Sequence, residues 1–76
     1  MKTKEFEAAI KEADFSYVND NHQISIYTKG GSLVAVINIY SQQIALEEWT
    51  YGSEERLFLL DSMTAYTLTK PENRGN

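Results

Sequence analysis

The chain has no cysteine, one histidine and no long apolar run, and each of these absences narrows its function. Without cysteine there is no disulfide, no thiolate metal site and no cysteine catalysis. Small secreted domains usually depend on disulfides, so the composition favours a reducing cytoplasm. No apolar run approaches the roughly 20 residues that span a bilayer. The charged N-terminus is not expected to be a signal peptide. We therefore expect a cytoplasmic protein with no membrane partner.

Basic residues are also few. Seven Lys and Arg stand against eleven Asp and Glu, which gives a formal net charge of −4 at pH 7. The basic residues are spread along the chain, whereas binding to a phosphate backbone needs them clustered in a stripe. Direct binding of nucleic acid is therefore disfavoured, and the simplest interpretation of the acidity is solubility.

The length and composition of the chain are those of one small globular domain. It has 76 residues, of which 42% are hydrophobic and 24% charged. Periodicity and turn residues predict a helix, four strands and a second helix. The predicted helices span residues 3–13 and 54–69, and the predicted strands span residues 15–18, 23–28, 33–40 and 43–49. We expect a single α+β domain over residues 1–70 and a flexible C-terminal tail over 71–76.

The helix ends follow from capping residues and from proline. Thr3 is the predicted N-cap of the first helix, and Ser53 is that of the second. Glu5 suits the positive end of the first helix dipole. Pro71 ends the second helix, because the residue before a proline avoids helical geometry.

The registers of the three hairpins follow from their turns. Gly30-Gly31 is a strong two-residue turn, since both of its central positions need positive φ. Ser41-Gln42 and a turn centred on Asp20-Asn21 complete the meander. The predicted cross-strand pairs are Tyr17 with Ile24, Ile26 with Ala35, and Ile37 with Leu46. All three hairpins place apolar residues on one face, and a slip of one residue in any of them would break that agreement.

These registers divide the sheet into a core face and a far face. The predicted core face holds Phe15, Tyr17, Ile24, Ile26, Leu33, Ala35, Ile37, Ile39, Ile44 and Leu46. Both helices are expected on that face, because it is the apolar one. They add Phe6, Ile10, Leu57, Leu60 and Met63 to the predicted core.

The far face is the candidate functional surface. Its apolar and aromatic members are Tyr27, Val34, Val36, Tyr40 and Trp49. Apolar patches of this kind often mark contacts with a partner, and Tyr and Trp are favoured at binding hot spots. The same residue types are also good strand formers whose cross-strand pairs stabilise a sheet. A contact surface and a purely structural role therefore both stay open.

Residues that carry chemistry are scarce. His22 is the only histidine, it falls in a predicted turn, and its only nearby ligand candidate is Asp20. No set of nucleophile, base and orienting group can be assembled around it, so we expect no enzyme, no metal and no cofactor. The acidic residues Glu47, Glu48, Glu54 and Glu55 are close in sequence. They form either a candidate acidic patch or a solvated strand end and helix start.

The two ends of the chain carry a family resemblance. The start reads Lys4-Glu5-Phe6-Glu7-Ala8-Ala9, and the end reads Tyr66-Thr67-Leu68-Thr69-Lys70-Pro71-Glu72-Asn73-Arg74. This layout resembles small uncharacterised proteins encoded by phages and prophages of low-GC Gram-positive bacteria. Those proteins commonly end in a tyrosine-containing segment followed by Thr-Pro and an acidic–Arg tail. This chain departs from that pattern because Lys70 separates Thr69 from Pro71 and Glu72 directly follows the proline. The resemblance implies a phage or prophage origin and carries over no site residues.

Two functional hypotheses follow. The first is a non-enzymatic phage or prophage accessory protein that acts through protein–protein contacts, with self-association through the far face as the simplest case. The second, which the resemblance suggests, is an acidic inhibitor of a host nucleic-acid-binding or defence protein, as anti-CRISPR proteins are. It requires the four glutamates of the acidic patch to lie on one continuous surface.

Overall fold

A computed structural model of the chain describes residues 1–46 and 54–75, with residues 46 and 54–56 by their backbone alone. The elements in chain order are α1 (Thr3–Glu12), β1 (Ser16–Asn19), β2 (Gln23–Tyr27), β3 (Leu33–Asn38), β4 (Ile44–Leu46), α2 (Glu54–Leu68) and a 3-10 turn (Pro71–Asn73). The strands form one antiparallel sheet in the order β1-β2-β3-β4. The predicted α+β class and the order helix, meander, helix are confirmed.

One hydrophobic core joins both helices to the sheet. Its buried members are Phe6, Ile10, Ala13, Ile24, Ile26, Val34, Ala35, Ile37, Ile39, Leu59, Met63 and Tyr66. Because α1 and α2 contribute to the same cluster as the inward residues of β2 and β3, both helices pack on one face of the sheet. This arrangement leaves the other face without a described helix.

The two outer hairpins pair two residues away from the predicted registers. Tyr17 lies opposite Ile26, and Ile37 lies opposite Ile44. The first turn is centred on Asn21-His22, since Asp20 N donates to Gln23 O (3.2 Å) and Asn21 adopts a φ of 71°. A shift of two residues keeps every side chain on its predicted face, because the strand period is two.

The β3–β4 connection is longer than predicted. Asn38 N donates to Gln43 O (3.2 Å), and Ile39 N instead donates to His22 O (2.9 Å). Ile39 therefore leaves the β3–β4 ladder, but its side chain stays buried. The shift also moves Ile44 towards the sheet margin, where it is 39% exposed, so its predicted place in the core is wrong.

A β-bulge in β3 exchanges the roles of Leu33 and Val34. The predicted pair of Ile26 with Ala35 is present, but Tyr27 then lies opposite Leu33, which leaves Val34 as the extra residue. An extra residue interrupts strict alternation. Val34 is accordingly fully buried in the core cluster, next to buried Ala35. Leu33 is half-buried and shares a face with its partner Tyr27. The predicted core place of Leu33 and far-face place of Val34 are both wrong.

Helix α2 buries Met63 as predicted but leaves Leu57 out of the core. Leu59, Ser62, Met63 and Tyr66 are buried, at helical spacing. Leu57, which was predicted in the core, is 55% exposed, and Leu68 is 70% exposed. Apolar residues surround much of this helix, so periodicity alone does not select one face. Leu60 packs partly buried against the core.

The C-terminal segment packs on the domain through Arg74, which is fully buried. Its Nε donates to the carbonyl oxygens of Tyr66 (3.2 Å) and Thr69 (3.0 Å), and its Nη2 donates to that of Thr67 (3.2 Å). Its Nη1 donates to the carbonyl oxygens of Asn38 (3.0 Å) and Ile39 (2.6 Å). One guanidinium thus joins the end of α2 to the end of β3. The flexible tail predicted over 71–76 is therefore wrong for residues 71–75.

The Arg74 side chain also belongs to a stack of three side chains that come from near the two ends of the chain. The Arg74 guanidinium lies 4.3 Å from the ring centroid of Tyr66, and the Phe6 ring stacks on Tyr66 with 4.6 Å between centroids. Thr3 N donates to Arg74 O (2.7 Å), and the Thr3 hydroxyl shares a hydrogen bond with the Tyr66 hydroxyl (2.8 Å). Thr3 is thus the first residue of α1, preceded by Lys2 as N-cap, and the predicted N-cap is off by one.

The bulge predicts that truncating the smaller side chain, Val34, destabilises the fold more than truncating the larger one, Leu33. Val34→Ala should lower the free energy of unfolding by about 2 kcal/mol, because it removes two buried methyl groups and leaves a cavity. Leu33→Ala removes more carbon but should cost less, because Leu33 is only half-buried. Urea denaturation followed by circular dichroism measures both. A larger loss for Leu33→Ala would contradict the placement of the bulge.

The arginine contacts predict that the tail stabilises the fold. Arg74→Met keeps the stem but removes the guanidinium that donates to five carbonyl oxygens, and should cost at least about 3 kcal/mol. Lys70→Met, which removes an exposed cation from the same segment, serves as the matched control. Urea denaturation again reports the difference. Equal stability of the two variants would favour the flexible tail predicted from the sequence.

Candidate functional site

The face of the sheet turned away from the helices is the candidate site, and we call it the open face. Its described residues form three cross-strand rows: Ser16, Tyr27 and Leu33; Val18, Ser25, Val36 and Ala45; and Gln23, Asn38 and Gln43. The first row is aromatic and aliphatic, the middle row is small or branched, and the third row carries side-chain amides. Among these described residues no side chain is charged.

A groove of about 640 Å³ runs over one end of the open face. It is lined by Gln23, Val36, Asn38, Gln42, Gln43, Ile44 and Ala45. Val36 and Ala45 belong to the apolar middle row, and the amides stand beside them. The groove therefore combines an apolar surface with neutral groups that both donate and accept hydrogen bonds.

Two of the groove amides are committed within the domain. Gln42 Nε2 donates to Leu68 O (3.4 Å), and Asn38 Oδ1 accepts from Tyr40 N (2.8 Å). The side chains of Gln23 and Gln43 make no hydrogen bond to any part of the chain that the structure describes. Both side chains are exposed, so they remain available to a ligand or partner.

The structure places the five predicted contact residues in different positions. Tyr27 and Val36 lie half-buried on the open face, as predicted. Val34 is in the core because of the bulge. Tyr40 is 59% exposed but lines a second depression, of about 290 Å³, beside Thr3 and other residues of α1. Trp49 falls outside the described residues. The predicted contact residues did not include Leu33, because the predicted register placed it in the core. They also did not include the groove glutamines, because glutamine is neither apolar nor aromatic.

The acidic patch falls largely outside the described structure. Glu47 and Glu48 belong to residues 47–53, and the backbones of Glu54 and Glu55 begin α2. Their common surface stays a prediction. The further acidic residue Asp61 lies mid-helix on the exposed side of α2.

His22 occupies an exposed turn. Its ring lies edge-on to Tyr40 with 6.2 Å between centroids. It lines neither depression, whereas a general base works within reach of a bound substrate. Over residues 1–46 and 57–75 no group of three or more histidine and acidic side chains is arranged to hold a metal ion.

Comparison of the chain with protein-family models, with curated proteins and with solved structures finds no match. No helix among the described residues is both long and apolar enough to cross a bilayer.

The turn beside His22 predicts a specific pH dependence. Hydrogen bonds from the backbone N–H groups of Gln23 (2.8 Å) and His22 (2.9 Å) hold the pKa of Asp20 below its ordinary value of 3.8. A folded-state pKa below the unfolded one adds stability above the unfolded value, and this is lost as the pH falls through the folded value. Wild type should therefore exceed Asp20→Asn in stability near pH 6.

That difference should shrink as the pH falls from 6 through the lowered pKa of the Asp20 carboxyl, since the protonated carboxyl no longer carries the charge that the two N–H groups stabilise. Urea titrations of the two proteins over this falling series of pH values measure it. A difference that stays constant with pH would show that the carboxylate charge does not contribute.

Proposed function

We propose that this chain is a non-enzymatic accessory protein of a phage or prophage that acts through protein–protein contacts made by its open face. The observation that carries the proposal is the chemistry of that face. It is uncharged in its described part, its middle row holds only small or branched side chains, and it includes a groove with two uncommitted amides. Depletion of charge with retained aromatic and aliphatic groups is typical of the buried centre of protein interfaces.

Exposure of the face supports the same proposal. Val18 is 57% exposed, and Tyr27, Leu33 and Val36 are half-buried, so apolar surface extends across three strands. Exposed apolar patches of this kind often mark contacts with a partner. A solvated sheet face would instead alternate with charged or strongly polar side chains.

The phage or prophage origin and the cytoplasmic location rest on the sequence. The origin depends on the resemblance of the two chain ends, and the location on the absence of cysteine. Phe6, Tyr66 and Arg74 of those ends stack on one another. The resemblance therefore concerns residues that build the fold, and the open face has to be tested separately.

A charge placed in the middle row tests the proposal. Val36→Glu should abolish binding of the partners that the immobilised protein retains from a Gram-positive host lysate supplemented with soluble wild-type chain, because burying an unpaired carboxylate in an interface is costly. Leu57→Glu is the matched control, since it places the same charge on an exposed apolar position of α2, where a carboxylate suits the helix start.

The expected result is that wild type and Leu57→Glu retain the same proteins and Val36→Glu loses them. Urea denaturation must first show that all three proteins are folded. If folded Val36→Glu retains the same set as wild type, the open face is not the contact surface.

A further inference from the structure

We infer that the partner of the open face is a second copy of this chain, with the two sheets packed face to face about a two-fold axis. This inference rests on the proposed function and adds the identity of the partner.

The distribution of charge favours a copy of the same chain. Between residues 15 and 46 the only side chains with a full charge are Asp20 and Lys29, and both lie in turns. In a two-fold contact the side chains near the axis meet their own copies, so a charged residue there would repel itself. A chain of net charge −4 can approach itself where its surface is neutral. Different partners usually rely on complementary charges, which the described part of this face does not offer.

The amides of the face are complementary to themselves. A glutamine side chain carries one acceptor oxygen and an NH₂ donor, so two identical side chains can hydrogen-bond to each other. Gln23 and Gln43 stand exposed at the groove and are free of hydrogen bonds to the described part of the chain. A second copy therefore supplies partners for both without any new residue type.

The middle row allows close packing. Ser25, Val36 and Ala45 lie side by side across β2, β3 and β4, and none of them is longer than a valine. Facing sheets in proteins lie about 10 Å apart, with side chains of this size filling the space between them. Tyr27 and Leu33 form the bulkier row beside it. In the dimer these larger side chains lie outside the small middle row of the second copy.

The size of the face sets the expected affinity. Four strands of 4, 5, 6 and 3 described residues, about 4.8 Å apart and rising about 3.3 Å per residue, outline a face of roughly 300 Å². A standard protein interface buries about 800 Å² on each partner. The dimer is therefore expected to be weak and reversible, so the protein is monomeric when dilute and dimeric when concentrated.

Sedimentation equilibrium over a wide concentration range tests this inference. The apparent mass should rise from the 8.7 kDa of one chain towards twice that value. Val36→Asp should weaken the association by about tenfold or more, which corresponds to about 1.4 kcal/mol. Leu57→Asp, on the exposed side of α2, should leave the association unchanged.

Single cysteines give a second measurement, because the chain has none of its own. Ser25→Cys and Ala45→Cys lie in the middle row, and Thr64→Cys lies exposed on α2 as the control. On mild oxidation at high concentration, at least one of the first two should form a disulfide-linked dimer in far greater yield than the control.

Two outcomes separate this inference from the proposed function. A protein that stays monomeric at about millimolar concentration, with no excess cross-linking in the middle row, overturns the second copy as partner. If Val36→Glu still loses the host proteins that wild type retains, the open face keeps its proposed function with a different partner. If no such loss is seen either, both proposals fail.

Discussion

The guanidinium of Arg74 is the interaction on which the rest of the structure depends. It is buried, and all of its described hydrogen-bond partners are backbone carbonyl oxygens of β3, the loop after it and the end of α2. A helix leaves its last carbonyls unsatisfied, and the dipole makes that end negative. The Arg74 guanidinium therefore donates hydrogen bonds both to carbonyl groups at the end of α2 and to those at the end of β3. The backbone carbonyl of Arg74 accepts a hydrogen bond from Thr3 N at the start of α1. The apolar core is enclosed between the elements that this contact joins.

The position of this contact also determines which surface remains available. Arg74, Tyr66 and Phe6 hold both helices against the same side of the sheet. The remaining side has no described helix to cover it, and its described residues are neutral. The groove, the small middle row and the uncommitted glutamines thus follow from a fold whose hydrophobic elements are concentrated on one side.

Much of this fold could be predicted because alternation along strands and turn chemistry act locally. Even the outer hairpins, shifted by two residues, kept their faces. The misplacement of Val34 has a different cause: a bulge is decided by how β3 fits its neighbours, which no local pattern records. Leu57 was misplaced because α2 is apolar on several sides, so packing alone selected its inner face. Arg74 was missed because its partners are backbone oxygens distant in sequence. For the candidate site, Tyr27 and Val36 were found, but the groove glutamines carry no pattern of their own.

The meeting of the two chain ends has a topological consequence. The Met1 amine donates to Thr69 Oγ1 (2.7 Å), and Thr3 N donates to Arg74 O, so residues near the two ends meet at one corner of the domain. When such residues already touch in the folded chain, joining the ends into a ring costs the folded chain little, whereas the unfolded chain loses loop-closure entropy. Head-to-tail cyclisation thus suits this cysteine-free fold, and new ends could be opened at the Gly30-Gly31 turn.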